Sequence, residues 1–486
     1  MTRQLDSTSP MDALDPDDLV RLARIPDEEQ RAVAFRELLR RHGRSEEIID
    51  LSIAENALVY PLLKERVLDA LPHPLPEKAT RYISPHDTER LATAMAGHFA
   101  ASFGAPVDPR HVYATAGVSS ALEIIALALQ SPTPDTAVPA PRSDTGPVPR
   151  GSHVLIPAPY WQGFNWALGE VPALNCEPVP TYKKGATPKD DRFELTVADL
   201  EKAYLACPQP PRMLVLTNPH NPLGGNYSPD LLNKVYDWAL AKTPAMHIVS
   251  DEMYRHSQLP HTAEPFVSAL ELADRHKAVD RVHVVWGFAK DFGLSGFRAG
   301  FIISRSPNVR QVMTDADDPL ERKRPLSWFS QFDSLKHFYL APIANLSTAA
   351  WKDLMTEYSG NLQVTFRAVC ETLDRNGIRY HRPHGTNSAQ FFWLDLREFL
   401  PAAPQVHGHE AHLFTTAPGT PVDPEQNLAA HLLAEAHVKL LTGSTMYQLE
   451  PQGFYRLCFT AAPPAKVLEA VERLCATLRK LVPNQP

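Results

Sequence analysis

The chain is poor in cysteine, and its cysteines follow no pairing pattern. Five cysteines occur in 486 residues, and no two of them form a CxxC pair. Neither a disulfide framework nor a zinc site is therefore indicated. A reducing compartment suits such a chain, and we expect a cytoplasmic protein.

Two further features are missing: an excess of positive charge and a long apolar run. The formal net charge is −8 at pH 7, whereas a face that binds nucleic acid would be basic. No apolar stretch approaches the roughly 20 residues that span a bilayer. The polar, acidic N-terminal stretch does not resemble a signal peptide. We therefore expect neither a nucleic acid nor a membrane as a partner.

The composition that remains is that of a soluble globular protein, with 44% hydrophobic and 21% charged residues. A chain of this length can bury a large core and should contain more than one domain. The 46 prolines are concentrated in loops. A Pro-rich surface insertion is predicted at 131–152, and a Pro/Gly/His-rich insertion at 402–427.

Apolar, β-branched runs alternate with helical patterns through the middle of the chain. The predicted strands are 213–217, 247–250, 282–286 and 301–304. This alternation predicts an α/β fold around a mainly parallel sheet. In open sheets of this kind, ligands bind beyond the carboxyl ends of the strands. Polar residues that follow these strands are therefore candidates for a site.

Lys290, just beyond the strand at 282–286, is the central candidate. A lysine at the end of a buried strand can lose hydration, which lowers the pKa of its amine. Such an amine can form a Schiff base with a carbonyl compound. Arg298, eight residues further on, could hold an anionic group of that compound. Without the rest of the sequence, an ordinary surface lysine would be the preferred interpretation.

Other segments add candidates whose meaning stays open when each is taken alone. The amides of Gly117, Val118 and Ser119 lie at the start of a predicted apolar helix, which is a natural anion site. Trp161 follows a predicted strand and is either a core residue or a residue that stacks on a planar ligand. Glu55 lies between apolar neighbours and is either a helix cap or a site group.

Taken together, these motifs resemble a known family. The order Asn218-Pro, Asp251-x-x-Tyr254, Lys290, Arg298 and Arg456 resembles the fold-type I pyridoxal-phosphate (PLP) enzymes of the aminotransferase class I/II family. Within that family the chain is most similar to the 1-aminocyclopropane-1-carboxylate (ACC) synthases. The resemblance runs from about Leu51 to the C-terminus, through the segments IAENAL, TAGVSSALE, PAPYWQGF, TNPHNPLG, SDEMY, VHVVWGFAKDFGLSGFRAG and YRLCF.

The resemblance implies a domain arrangement and an assembly. Residues 88–345 would form a large PLP-binding domain, and 45–87 with 346–486 a smaller α+β domain. Residues 1–44 would be an N-terminal extension. The enzyme would be a homodimer whose subunits share their active sites.

The resemblance also implies a role for each candidate residue. Lys290 would carry the cofactor and move the proton at the substrate's α-carbon. Asp251 would keep the pyridine nitrogen protonated, and Asn218 and Tyr254 would bind the ring's phenolic oxygen. The remaining implied contacts are Trp161 on the ring face, Gly117, Val118, Ser119 and Arg298 at the phosphate, Arg456 and Asn218 at the substrate, and Glu55 beside the positive sulfur of S-adenosylmethionine (SAM).

The chain departs from the ACC synthase pattern at the cofactor. Gly287 and Ala289 occupy the positions three and one before the lysine, where those enzymes have serines. The tyrosine expected from the partner subunit has Tyr82 as its nearest candidate. These departures, with the two insertions, favour a specialised variant over plain ACC synthesis.

Three functions are compatible with these motifs. The first is a SAM-using PLP enzyme that removes the α-proton and releases methylthioadenosine, by ring closure or by joining the aminobutyrate unit to a second substrate. The second is an aminotransferase, for which Glu55 would be merely structural. The third, a PLP-sensing regulator, would need a basic DNA-binding domain, whereas the N-terminal extension here is short and acidic.

Overall fold

A computed structural model describes residues 48–71, 76–130, 147–314, 333–382, 388–404, 423–448 and 450–482. The predicted N-terminal extension lies outside the described residues, as do most of the two predicted insertions.

The strands are, in chain order, β1 Ile49–Asp50, β2 Val112–Thr115, β3 His153–Ala158, β4 Asn175–Pro180, β5 Tyr182–Lys183, β6 Arg192–Phe193, β7 Met213–Thr217, β8 His247–Asp251, β9 Val282–Gly287, β10 Gly300–Ser304, β11 Arg379–Tyr380, β12 Phe391–Asp395, β13 Val438–Lys439, β14 Leu441–Thr442 and β15 Phe454–Cys458. The α-helices are α1 Tyr60–Arg66, α2 Pro85–Phe103, α3 Val118–Gln130, α4 Gly163–Gly169, α5 Val197–Ala206, α6 Pro229–Leu240, α7 Ala269–Arg275, α8 Pro307–Met313, α9 Ser334–Ala344, α10 Thr348–Arg375, α11 Pro424–Ala436 and α12 Pro464–Leu481.

A seven-stranded sheet in the order β2-β10-β9-β8-β7-β3-β4 forms the centre of the fold. Neighbouring strands from β9 to β4 run parallel. Every residue of β7, β8 and β9 is buried, as expected for parallel strands that are covered on both faces. The predicted α/β fold around a mainly parallel sheet is therefore confirmed.

One central strand runs against the others. β10 is antiparallel to both β9 and β2. Only residues 288–299 connect β9 to β10, and this connection holds a short 3-10 turn, Ser295–Phe297, rather than an α-helix. A parallel connection would need a longer crossover. The apolar pattern of 301–304 located this strand but not its direction.

The N- and C-terminal parts of the described chain contribute a second layer. Its core is the antiparallel sheet β11-β12-β15-β14, and β1 pairs in parallel with β13. This pairing joins segments nearly 400 positions apart in sequence, which agrees with a smaller α+β part built from both ends of the chain. The predicted domain boundaries themselves stay a prediction.

None of the described helices combines the length with the apolar character needed to cross a bilayer.

Candidate active site

The polar residues that follow β7, β8 and β9 meet at one edge of the central sheet. Asp251 is the last residue of β8, and Asn218 comes directly after β7. The register places Thr217 beside Asp251 and Asp251 beside Val285, so the carboxyl ends of the three strands coincide. Lys290 lies three residues beyond the end of β9, at the same edge. The order of the strands therefore brings Asn218, Asp251 and Lys290 to one edge of the sheet, where the sequence predicted a site.

The amine of Lys290 is enclosed by the N-terminal segment. Its Nζ donates a 2.7 Å hydrogen bond to the main-chain oxygen of Ala54. Burial lowers the pKa of this amine below its ordinary value, the charge of Glu55 opposes that shift, and the charge of Arg456 adds to it. A lowered pKa leaves more of the amine neutral and therefore nucleophilic.

Asp251 is a buried carboxyl close to this amine. Burial raises its pKa to about 7, whereas the N–H of Met253 and the charge of Lys290 pull it down. The Met253 amide donates to Oδ1 at 3.2 Å. A carboxyl in such surroundings is stabilised as the anion by a cationic partner, and a protonated ring nitrogen would be one.

An anion cradle forms where the start of α3 meets Arg298. Gly117 has a φ of +91°, and a Cβ there would lie 2.9 Å from the Arg298 Nη2. A Cβ on Gly300 would lie 2.6 Å from the Gly117 carbonyl carbon, so this close approach requires glycine at both positions. The 13-residue helix α3 begins at Val118. Its free N–H groups and the guanidinium together fit a phosphate group.

Arg456 is a buried cation on β15. It is 4% exposed, and its guanidinium lies 4.7 Å from the centre of the Phe391 ring. Nη1 donates to Asn221 Oδ1 at 3.0 Å, and Nη2 donates to the main-chain oxygen of Ser52. Its Nε has no hydrogen-bond partner among the described residues. A guanidinium held in this way fits the carboxylate of an amino-acid substrate.

The structure differs from the prediction at Asn218. Its Nδ2 donates to the Val267 oxygen at 3.2 Å, and its Oδ1 accepts from the Tyr227 amide at 3.1 Å. These bonds tie the side chain to Tyr227 in the following loop and to Val267, just before α7, rather than directing it toward a ligand. Asn221 is instead the asparagine that contacts Arg456. The second Asn-Pro of TNPHNPLG was the sequence signal for it, and the assignment to the first Asn-Pro missed it.

Glu55 is not a helix cap. Helix α1 begins at Tyr60, and its N-cap residue Val59 makes no side-chain capping bond. Both carboxylate oxygens of Glu55 accept from the hydroxyl of Ser295, at 2.7 and 2.8 Å. Ser295 was missed as a site residue, although it lies between Lys290 and Arg298 in the motif GLSGFR.

The roles of three predicted site residues, Tyr254, Trp161 and Tyr82, stay predictions. Tyr254 is buried with its ring edge-on to Phe391, and burial raises the pKa of its hydroxyl well above the ordinary value. Trp161 is half-buried and meets Phe164 edge-to-face at 5.5 Å. Tyr82 is 85% exposed, as a residue that reaches a second subunit would be.

A mainly parallel α/β sheet with a half-buried lysine, a buried carboxyl and an anion cradle at its carboxyl edge defines a fold-type I PLP-dependent enzyme. Solved structures support the fold. An aspartate aminotransferase from Rhizobium meliloti superposes with a TM-score of 0.64 at 20% identity, covering 94% of this chain and 98% of its own. An aromatic aminotransferase from Pyrococcus horikoshii gives 0.62 at 21% identity, covering 90% and 97%.

Residues 46–474 match the profile of the family described as aminotransferase class I and II, and the chain belongs to this family. A probable aminotransferase of Aspergillus oryzae is 28% identical over 89% of this chain and 91% of its own length. The 1-aminocyclopropane-1-carboxylate synthase 3 of Oryza sativa is 27% identical over 89% and 88%. The cofactor of the chain is pyridoxal 5'-phosphate.

Proposed function

We propose that this enzyme acts on SAM, removing the proton at the α-carbon and releasing methylthioadenosine from the γ-carbon. The product is either a cyclised amino acid, as in ACC synthases, or an aminobutyrate unit joined to a second substrate. The observation that carries this proposal is the position of the Glu55 carboxylate.

Glu55 belongs to a short segment that contacts both ends of the amino-acid site. The oxygen of Ser52 accepts from Arg456, and the oxygen of Ala54 accepts from the Lys290 amine. Asn56 donates to the Lys290 oxygen at 2.8 Å. A carboxylate within this segment therefore lies beside any substrate that Arg456 and Lys290 hold.

The chemistry of that carboxylate suits a cationic side chain. Glu55 is half-buried, and its charge opposes the lowering of the Lys290 pKa. In a partly dry cleft a carboxylate attracts a sulfonium by an amount of order one to a few kcal/mol. A neutral side chain would gain nothing from it. The segment thus favours SAM over neutral amino acids.

The remaining residues supply positioning and proton transfer. Arg456 would orient the substrate carboxylate through a two-pronged contact, assisted by Asn221. The Lys290 amine, with its lowered pKa, would take the α-proton and return it later. Bound PLP supplies an electron sink for the pair left on the α-carbon. Arg298 and the start of α3 would hold its phosphate, and Asp251 its ring nitrogen.

Transamination is the second candidate. Lys290, Asp251 and Arg456 suffice for it, and the Aspergillus relative is described as a probable aminotransferase. Under this alternative the contact between Glu55 and Ser295 has only a structural purpose.

Incubation of the holoenzyme with SAM distinguishes release of methylthioadenosine from transamination. Release of methylthioadenosine, detected by mass spectrometry, is the expected result. Conversion of SAM or another amino acid to its oxo acid, without methylthioadenosine, would overturn the proposal in favour of transamination.

We further propose a cytoplasmic homodimer in which Tyr82 of each subunit contributes to the site of the other. The high exposure of Tyr82 supports this arrangement. We also propose the division into a large domain, 88–345, and a smaller one, 45–87 with 346–486. The separate antiparallel sheet and the pairing of β1 with β13 support that division.

A further inference from the structure

A buried hydrogen-bond network lies beneath Lys290. Lys290 occupies a turn after β9, so no sheet or helix ladder binds its carbonyl. Two side-chain amides do so instead: Asn56 Nδ2 at 2.8 Å and Gln390 Nε2 at 3.1 Å. The amide of Gly293 approaches the same oxygen at 3.3 Å. The main chain of Lys290 is therefore held from outside its own element.

Both amides share a second acceptor, the hydroxyl of Tyr358. Asn56 donates to it at 2.8 Å and Gln390 at 2.9 Å. Tyr358 also lies 2.9 Å from the Ser257 Oγ, and Ser257 donates its own proton to Asp291 Oδ1 at 2.7 Å. A hydroxyl has only one proton to give. With ionised Asp291 as the acceptor, Tyr358 donates to the Ser257 Oγ, which also accepts from Gln390 Nε2 at 3.0 Å.

The members of this network come from separate parts of the fold. Tyr358 belongs to α10, and Gln390 directly precedes β12 of the antiparallel sheet. Ser257 and Asp291 belong to loops of the central sheet, and both are fully buried. Tyr358 thus joins the second layer of the molecule to the loop that carries the lysine.

We propose that Tyr358 and Gln390 are positioning residues for Lys290. They touch neither substrate nor cofactor, and act by fixing the lysine's main chain and so the place of its amine. A small misplacement of a reacting group can slow a reaction strongly without weakening binding. This inference rests on the proposed role of Lys290, and the experiment below separates the two.

The test is Tyr358→Phe, which removes one oxygen and leaves an amide hydrogen of Asn56 without its acceptor, whereas Gln390 Nε2 keeps the Ser257 Oγ at 3.0 Å. The reaction to follow is exchange of the α-hydrogen in deuterium oxide, with the amino acid that the wild-type holoenzyme exchanges fastest. Lyase and aminotransferase reactions both begin with removal of the α-hydrogen, so the readout does not depend on SAM. We expect kcat to fall roughly tenfold and KM to change less than about twofold. The pH midpoint of the cofactor's visible band should also shift.

Tyr455→Phe is the matched control. Its hydroxyl is also buried and donates to the Glu425 oxygen at 2.7 Å, away from Lys290. It should lower the melting temperature without changing kcat or the midpoint. If Tyr358→Phe behaves like this control, the positioning role is refuted.

A second variant, Gln390→Leu, tests whether both residues act through the same atom. If they do, the double variant should exchange no more slowly than the slower single one, because the two losses overlap. Fully additive losses would contradict the proposal. Should Tyr358→Phe fail to fold, the kcat and KM of Gln390→Leu decide alone.

Borohydride reduction of each variant identifies the lysine that carries the cofactor. A label on Lys290 with unchanged kcat overturns only the positioning role. A label on another lysine overturns the assignment of Lys290, and with it the reason for the inference.

Discussion

The side-chain amine of Lys290 donates a 2.7 Å hydrogen bond to the main-chain oxygen of Ala54, a residue 236 positions earlier in the chain. This bond places Glu55, the next residue, beside the lysine. The segment is anchored on its other side, because the Ala57 amide donates to the Thr460 oxygen and the Cys458 amide to the Leu51 oxygen. The candidate nucleophile and the candidate partner for a sulfonium are thus brought together by one short stretch of main chain.

Glu55→Gln tests the preference for a cationic substrate. The substitution keeps the shape of the side chain and removes its charge. KM for SAM should rise roughly tenfold or more, since 1.4 kcal/mol corresponds to a factor of ten. KM for a neutral amino acid such as alanine should hardly change, and the melting temperature should stay close to that of the wild type.

Glu357→Gln is its control, because Glu357 pairs with Arg66 at the surface. Glu357→Gln should change KM for neither SAM nor alanine. An unchanged KM for SAM in Glu55→Gln would favour the aminotransferase alternative.

Asp251 connects cofactor binding with pH. Burial raises its pKa from 3.8 to about 7. Between these values the folded, cofactor-free protein binds more protons at this group than the unfolded chain does. The group's contribution to stability is therefore lost as the pH rises through this window. A protonated ring nitrogen would offset that loss, so the gain in melting temperature on adding PLP should be larger at about pH 8 than at about pH 5.

Asp251→Asn should flatten this pH dependence, leave PLP bound and reduce turnover by several orders of magnitude. Glu252→Gln is a matched control, because Glu252 is also buried with a pKa of about 7 and accepts bonds from Ser268 and Ala269. In Glu252→Gln the gain in melting temperature on adding PLP should still depend on pH as it does in the wild type. Near-normal turnover in Asp251→Asn would contradict the role assigned to this carboxyl.

Substitutions of Asn221 and Asn218 should have opposite effects on KM and on the melting temperature, although both residues belong to the same motif. Asn221→Ala removes the contact with Arg456 and should raise KM for the substrate roughly tenfold or more. Asn218→Ala removes the bonds to Val267 and Tyr227 and should lower the melting temperature with a smaller effect on KM. Steady-state kinetics and calorimetry on both variants measure this. The reverse pattern would restore the original assignment to Asn218.

Tyr82 tests the shared active site. Tyr82→Ala and Lys290→Ala should each be nearly inactive, and neither substitution should prevent dimer formation in sedimentation. When the two variants are mixed one to one and allowed to exchange subunits, half of the dimers are hybrids. One site of each hybrid then combines an intact Lys290 with the intact Tyr82 of the other subunit. About a quarter of the wild-type activity should therefore return. No recovery, despite hybrids detected by native mass spectrometry, would show that Tyr82 does not serve the partner's site.

The sequence by itself determined the class of the fold and the core of the site. Buried parallel strands appear as continuous apolar runs, so β7, β8 and β9 could be located from residue type alone. Because the carboxyl ends of such strands meet at one edge, Asp251 and Lys290 could be grouped without knowing the structure. Arg298 lies only eight residues after Lys290, so its place near the lysine could also be predicted from the sequence.

Only the tertiary structure decided which polar side chains face the site. Asn218 and Asn221 have the same chemistry and the same Pro neighbour, and only their contacts with Val267 and Arg456 tell them apart. Ser295, the partner of Glu55, lies 240 positions from it, and Tyr358 reaches Lys290 through Asn56 and Gln390. The direction of a side chain is set by packing between distant segments, and residue type and spacing along the chain carry no record of that packing.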